Sequence, residues 1–366
     1  MNVLDFPSTQ SSHGIEETLQ DIVRQVHFNS NFRIQHPDYQ PFELPAEVAE
    51  RFAKVPEEIR HRYQSLQLRS FIYGIYYNGS MKTSLALDAP QNQLQLDLEN
   101  NTILGIDTGF FERLHESNQG EGYFDPDWLI LQEKNDNNLV VQKGELKLHI
   151  ERDRHLQGDA KSAIVGNLVP IKMPKNLMQN GFYMAVGDAG TQSLKAVDSL
   201  PETVRIYLNL TPEGAVSVMK SLTREFNNIN LPFTFKVLYN PGDYERYDSA
   251  VFYFEKHQHK SVWSVFQTIY EENEAYFQPQ IPLFTKLLAP GLGLAEEPDA
   301  KFGANESFGM NRCQIVANGL LDAWQRGDNS PEGRMEAIVQ QFSLLGIDLD
   351  RAYLNAKSED IYESLK

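Results

Sequence analysis

The sequence predicts an α+β fold, in which a central mixed or antiparallel sheet lies between a helical N-terminal part and a helical C-terminal part. Apolar residues recur at helical spacing near both ends of the chain, as in 15–28 and 331–345. In the middle of the chain apolar and polar residues alternate, and turn-forming residues separate these runs. We therefore expect a helical N-terminal segment at 1–80 and, at 81–366, a β-rich region with an α+β core whose chemistry lies in 168–325.

The pattern predicts the other elements in chain order. Helices are expected at 15–28, about 46–54 and 56–69, with a Pro-rich connector at 37–45. The aromatic run at 71–77 favours a core position. Strands are expected around Leu94–Leu98 and at 128–134, 139–143, 145–151 and 182–190, and helices at about 261–277, 306–326, 331–345 and 349–364.

The segment 203–254 predicts a strand, a helix and two further strands. Apolar residues alternate from Val204 to Leu210, and Thr211-Pro212-Glu213 is a typical helix start. Two more alternating runs follow, separated by the turn residues 240–243. The helix makes a crossover long enough for the first two strands to pair in parallel.

The polar positions of these strands suggest a reactive surface. If both polar faces look the same way, they bring together Arg205, Tyr207, Asn209 and Lys236. A nearby cation and partial burial would favour the neutral amine of Lys236, which could then act as a base. The alternative is that Lys236 protects an edge strand from aggregation.

Composition limits the possible partners and cofactors. The 366 residues carry a formal net charge of −17, which argues against nucleic acid or an anionic membrane as a partner. The single cysteine excludes an internal disulfide, and neither a signal-peptide pattern nor a transmembrane run is present, so a cytoplasmic protein is expected. Gly291-Leu292-Gly293 does not complete a dinucleotide fingerprint, and His257 and His259 lack a third ligand nearby. We expect neither a metal nor a cofactor.

Six segments of the sequence resemble a known family. They read FFERLHESNQGEGYFDPDW at 110–128, LVPIKMPKNLMQNGFYMAVGDA at 168–189, VRIYLNLTPEGA at 204–215, LPFTFKVLYNP at 231–241, RYDSAVFYF at 246–254 and ESFGMNRCQIVANGL at 306–320. Together they are similar to the HopA-type effector-like proteins. These include type III effector homologues and lyase-like proteins of class V lanthipeptide and related gene clusters.

That family in turn looks distantly similar to the phosphothreonine lyases. Phe235-Lys236-Val237 resembles the strand that carries their base lysine, and Asn311-Arg312 resembles the site of their phosphate-binding arginine. The segment from Arg205 to Leu210 resembles the strand that carries a lysine and a histidine in those enzymes. Here Tyr207 stands where the lyases have their acid histidine.

The resemblance implies a cofactor-independent phosphoserine or phosphothreonine lyase. Its substrate would be a precursor peptide phosphorylated by a separate Ser/Thr kinase, and its product would contain dehydroalanine or dehydrobutyrine. Lys236 would be the base and Tyr207 the acid or orienting group. The phosphate clamp would consist of Arg205, Arg246 and Arg312, with Tyr247 and Asn209 as further candidates.

Other interpretations of these residues remain open. Arg246 could instead pair with Asp248 or Asp243, and Arg312 could be a charge on a helix surface. The rival function is a non-catalytic, effector-like module that binds a protein or a phosphopeptide. A lyase requires Lys236 and Arg312 to converge on one pocket, whereas a binding module does not.

Overall fold

The computed structural model describes residues 12–29, 33–52, 54–89, 102–103, 105–135, 137–191 and 202–365. Within these residues the α-helices are α1 (Ser12–Gln25), α2 (Ala46–Phe52), α3 (Glu57–Ile72), α4 (Thr108–Ser117), α5 (Arg152–His155), α6 (Pro212–Asn228), α7 (His259–Asn273), α8 (Phe308–Gln325) and α9 (Pro331–Leu344). A π-helix at Tyr73–Tyr77 continues directly from α3.

The strands of the described residues form four sheets. They are β1 (His27–Phe28), β2 (Arg33–His36), β3 (Tyr39–Glu43), β4 (Thr102–Ile103), β5 (Ile106–Asp107), β6 (Phe124–Asn135), β7 (Asn138–Lys143), β8 (Leu146–Glu151), β9 (Leu168–Lys172), β10 (Asn176–Gln179), β11 (Phe182–Val186), β12 (Thr203–Leu208), β13 (Thr234–Leu238), β14 (Ala250–Glu255), β15 (Lys286–Ala289) and β16 (Leu292–Glu296). The sheet orders are β1-β2-β3, β4-β5, β8-β7-β6-β9 and β10-β11-β13-β14-β12-β16-β15.

The seven-stranded sheet is the centre of the fold, and its strand pairs are antiparallel. The predicted α+β class with a central sheet is therefore confirmed. The predicted parallel pair of β12 and β13 is wrong, because β14 lies between these two strands and pairs with both. The helix α6 thus connects strands that run in the same direction without touching.

One face of the central sheet packs on α6 and α7 through a cluster of phenylalanines. The ring of Phe252 on β14 lies 4.7 Å from that of Phe226 on α6 and 5.1 Å from that of Phe266 on α7. All three side chains are buried, and burial of each contributes about 1.5–3 kcal/mol of stability. The start of α6 is as predicted, since the Thr211 side chain accepts a hydrogen bond from the Gly214 amide and Pro212 follows it.

The π-helix and α8 approach the opposite face of the sheet. The Tyr77 ring lies against Gly309 of α8, where a Cβ atom would be only 2.3 Å from the ring. The same ring meets Tyr207 of β12 edge-on, with centroids 6.4 Å apart. The aromatic run of residues 71–77 therefore contributes to the core, as predicted, and also supports the face that carries Tyr207.

Other parts of the fold also differ from the sequence prediction. The connector at 37–45 contains β3, and the hairpin β15-β16 forms where no strand was expected. The predicted helix at 349–364 is a short 3₁₀ turn, Leu349–Arg351, followed by irregular chain. Tertiary hydrogen bonds replace helical ones there, since Glu296 of β16 donates its amide to the Tyr353 carbonyl. The alternation around Leu94–Leu98 lies outside the described residues.

The hairpin β6-β7 and the following strand β8 confirm the predicted strands at 128–151. With β9 they form a sheet that has its own core, built around Trp128, Ile130 and Val141. The main core joins α1 and α3 to the central sheet.

Candidate functional site

Lys236 and Tyr207 lie on the same face of the central sheet. Val251 of β14 is directly opposite Lys236 of β13 on one side and directly opposite Tyr207 of β12 on the other. Residues directly opposite each other in antiparallel strands point to the same side. Arg205 is on the same face, because it is two residues before Tyr207 on β12 and lies directly opposite Tyr253 of β14. Two strand spacings, about 10 Å, separate the backbones of Lys236 and Tyr207.

Lys236 is a half-buried cation held between aromatic rings. Its Nζ atom lies 4.5 Å from the centroid of the Phe182 ring and 5.5 Å from that of Tyr253. It forms no ion pair with any residue in the described ranges. The edge-strand alternative is wrong, because β13 pairs with β11 on one side and β14 on the other.

Arg205 borders the other side of the Tyr253 ring. Its guanidinium carbon lies 5.1 Å from the ring centroid, and the side chain is 8% exposed. The guanidinium forms an ion pair with Glu297 through Nε and Nη2. Glu297 also pairs with Lys301 at 2.5 Å. Arg205 is therefore fixed in place by a carboxylate beyond the end of β16.

Arg246 lies near the same Phe182 ring as Lys236. Its guanidinium carbon lies 5.9 Å from the Phe182 ring centroid, and Nε and Nη2 donate to the two Asp248 oxygens at 2.6 and 2.9 Å. The same carboxylate accepts from Asn78 Nδ2 at 3.1 Å and from the Tyr73 hydroxyl at 3.3 Å. The predicted alternative of an Arg246–Asp248 pair is confirmed. We call the surface formed by Phe182, Arg205, Tyr207, Lys236, Arg246 and Tyr253 the Lys236 face.

Tyr207 forms the buried floor of the Lys236 face. It is 3% exposed, and neither its hydroxyl nor that of Tyr77 has a hydrogen-bond partner of normal geometry in the described part of the chain. Burial raises the pKa of Tyr207, and nearby Arg205 only partly opposes this effect. The phenol therefore keeps its proton at neutral pH and is able to donate it.

Arg312 packs on Phe308, with its guanidinium carbon 4.9 Å from the ring centroid, and the Phe308 ring lies 6.3 Å from that of Tyr207. Its hydrogen bonds go to residues outside the Lys236 face. Arg312 is 1% exposed, so it is not the helix-surface charge that the sequence left open. Nε and Nη2 donate to the carbonyls of Ala352 and Leu354 at 2.7 and 2.9 Å, and Nη1 donates to Asn311 Oδ1 at 2.6 Å. Burial lowers the pKa of Arg312 to about 10. In this arrangement Arg312 ties α8 to the C-terminal segment.

The two remaining candidates have other partners. The Tyr247 hydroxyl accepts a hydrogen bond from Lys82 at 3.0 Å. Asn209 is fully buried beyond the end of β12 and donates to the Gln280 carbonyl at 3.0 Å. The structure thus brings together four predicted residues, Lys236, Tyr207, Arg205 and Arg246, whereas the other three form hydrogen bonds with residues outside this face.

Sequence reasoning missed several residues that shape the face. Tyr253 is two residues after Val251 on β14, so both side chains point to the same face of the sheet. This orientation could have been predicted once the strand was assigned. Phe182, Tyr77 and Glu297 come from distant segments, and no local pattern indicates their contacts.

The unpartnered hydroxyl leads to a stability prediction. Tyr207→Phe is expected to change the free energy of unfolding by less than about 1 kcal/mol, because the hydroxyl forms no hydrogen bond of normal geometry and has only the Tyr77 hydroxyl and Arg205 nearby. Tyr244→Phe is the matched control, since its buried hydroxyl donates to the Leu238 carbonyl at 2.7 Å and its loss costs about 1–2 kcal/mol. Urea unfolding of both variants measures the difference. Equal losses would show that the Tyr207 hydroxyl has a partner in solution.

The part of the chain that contains the Lys236 face is similar to a known protein family. Residues 173–354 match the HopA1 effector protein family. The match spans just under half of the chain and includes all residues of the Lys236 face. It supports the effector-like resemblance that the sequence predicts. A search of curated proteins finds no match.

Two solved structures are similar to this chain. One is an effector protein from Pseudomonas syringae pv. tomato strain DC3000, with 16% identity, a TM-score of 0.42, and coverage of 82% of this chain and 97% of that one. The other is an effector protein from Pseudomonas syringae pv. syringae strain 61, with 14% identity, a TM-score of 0.45, and coverage of 95% and 100%.

Two further properties concern the described residues as a whole. None of their helices is both long and apolar enough to cross a membrane. They contain no group of three or more His, Cys, Asp or Glu side chains arranged to hold a metal ion.

Proposed function

We propose that the Lys236 face is the active site of a lyase that eliminates phosphate from phosphoserine or phosphothreonine in a peptide. One observation carries the proposal. The amine of Lys236 has no ion-pair partner in the described ranges and is aligned with the proton-bearing Tyr207 across Val251. Lys236 and Tyr207 thus place a base and an acid on one face, with their backbones two strand spacings apart. This arrangement suits a reaction in which one group removes a proton from the substrate and the other donates a proton to the leaving group.

The reaction assigns a role to each group. The neutral amine of Lys236 takes the Cα proton of the phosphorylated residue, and the released electron pair forms the Cα–Cβ double bond. The Cβ–O bond breaks, and the departing phosphate receives the proton of Tyr207. The products are inorganic phosphate and a peptide with dehydroalanine or dehydrobutyrine. A return transfer of the proton from Lys236 to Tyr207 through water restores both groups.

The two arginines are suited to hold the phosphate even though each already pairs with a carboxylate. Arg205 and Arg246 use Nε and Nη2 for these pairs. A guanidinium has five N–H donors, so Nη1 of each remains for a ligand. Phosphate carries about −1.5 to −2 charges at neutral pH, which the two arginines neutralise. Glu297 and Asp248 thus orient the clamp, and a separate Ser/Thr kinase would supply the phosphorylated peptide.

A second candidate function is a non-catalytic module that binds a phosphopeptide. The hydrogen bonds of Arg312 favour it, because its Nε, Nη1 and Nη2 atoms already donate within the protein, whereas the lyase interpretation requires this arginine to hold the phosphate. Arg205, Arg246 and Lys236 of the Lys236 face would then hold the phosphate without removing it.

The deciding experiment is mass spectrometry of a phosphothreonine peptide after incubation with the purified protein. A lyase removes one molecule of phosphoric acid from the peptide and releases inorganic phosphate. Binding of the peptide with its mass unchanged would identify the binding module instead. If a set of phosphoserine and phosphothreonine peptides showed neither elimination nor binding, both functions would be rejected.

A further inference from the structure

A cavity of about 520 Å³ lies between α3 and α8, and none of its lining residues belongs to the Lys236 face. Its size is within the range of about 300–1,000 Å³ typical of ligand pockets. Helix α3 contributes His61, Arg62, Ser65 and Arg69, and α8 contributes Gln314 and Asn318. The loop before α8 closes one end.

Two arginines give the cavity a positive wall. Arg62 and Arg69 are seven residues apart on α3, two helical turns along the same side. Neither forms an ion pair with a residue in the described ranges, although the chain carries a net charge of −17. Glu306 also lines the cavity. Its Oε2 atom accepts from the Phe302 amide at 2.8 Å and from Asn311 at 2.9 Å, and its buried Oε1 atom has no hydrogen-bond partner in the described part of the chain. With two arginines and one carboxylate, the charged side chains of the lining keep a net positive charge that can attract an anion.

The floor of the cavity is polar but uncharged. Ser65 and Gln314 are 8% and 5% exposed, and both donate to Asn318 Oδ1 at 2.8 Å. Arg69 Nη1 lies 3.5 Å from Gln314 Oε1, so the floor continues into the positive wall. Primary amide side chains both donate and accept, which suits the N–H and C=O groups of a peptide backbone.

Apolar side chains complete the lining. Leu66 of α3 and Met310 and Leu321 of α8 face the cavity, and Phe302 stands at its edge with 51% exposure. Methionine adapts to side chains of different shape. The cavity thus combines a site for an anion, a site for amides and a site for an apolar group.

We propose that this cavity binds the C-terminal end of a peptide whose last residue is apolar. The terminal carboxylate lies against Arg62 and Arg69, because an arginine can donate two parallel hydrogen bonds to one carboxylate. The last amide bonds to the floor formed by Gln314 and Asn318, and the apolar side chain contacts Met310 and Leu321. This site is separate from the proposed elimination site and does not depend on it.

Isothermal titration calorimetry with an acetylated leucine dipeptide tests the proposal. The free acid is expected to bind at least tenfold more tightly than the C-terminal carboxamide, because only the acid pairs with the arginines. Arg69→Gln is expected to abolish this preference. Arg154→Gln removes an exposed arginine from α5 and is expected to preserve it.

The outcomes separate this site from the Lys236 face. Lys236→Ala is expected to bind the dipeptide acid as the wild type does, whatever its effect on phosphopeptides. Equal binding of acid and amide, no binding of either, or an unchanged preference in Arg69→Gln would overturn the proposal. Binding of inorganic phosphate without any binding of the dipeptide acid would identify an oxyanion site and equally reject a peptide terminus.

Discussion

Lys236→Ala is expected to lower the rate of phosphate elimination by about 10²–10⁴-fold, the usual contribution of a positioned general base. The side chain contacts the rings of Phe182 and Tyr253 and pairs with no carboxylate in the described ranges. Its removal therefore costs only about 0.5–1 kcal/mol of cation–π energy. Product formation from a phosphothreonine peptide and a thermal melt of the same sample measure activity and folding together.

Lys220→Ala is the matched control for this variant. Lys220 is an exposed lysine of α6, and its loss is expected to leave elimination unchanged. Wild-type activity in Lys236→Ala would remove Lys236 from the mechanism. Lys236→Arg adds a second check, because an arginine keeps the positive charge but cannot release its proton at neutral pH. A phosphopeptide bound but not converted by Lys236→Arg would separate the two roles of this position.

Arg312→Leu is expected to destabilise the fold by about 3 kcal/mol or more. The substitution leaves the carbonyls of Ala352 and Leu354 and the Asn311 side-chain oxygen without their donor. Each buried acceptor left unpaired costs about 1–3 kcal/mol. Urea unfolding followed by circular dichroism measures the loss.

Arg326→Leu is the comparison for this second prediction. Its side chain is 50% exposed and pairs with Asp322, so the expected change is within about 0.5 kcal/mol. If Arg312→Leu kept wild-type stability but lost phosphopeptide binding, the phosphate-clamp role implied by the family resemblance would be correct. The position of its guanidinium would then have to change when the substrate binds.

The segment 203–254 shows what the sequence could predict. Local periodicity gives β12, α6, β13 and β14, since each element has its own apolar pattern and turn residues. It also places Arg205, Tyr207 and Lys236 on polar sides of their strands. Strand order was predicted incorrectly because it depends on pairing between distant segments.

The C-terminal part shows why the remainder of the site was not predictable. Residues 349–364 have a helical pattern, but their carbonyls bond instead to Arg312 and to β16. The carboxylate partner of Arg205 is Glu297, about 90 positions further along the chain. The ring packed on Tyr207 is that of Tyr77, about 130 positions earlier. Such contacts are created by tertiary packing and leave no signal in a short window.

The position of β14 in the central sheet has a consequence for folding during synthesis. The two strands that carry Tyr207 and Lys236 leave the ribosome before the strand that must separate them. Until β14 emerges, β12 and β13 are free to pair with each other through the α6 crossover, and right-handed crossovers of this kind form readily. Any such pair must open before β14 can enter between the two strands and complete the native sheet.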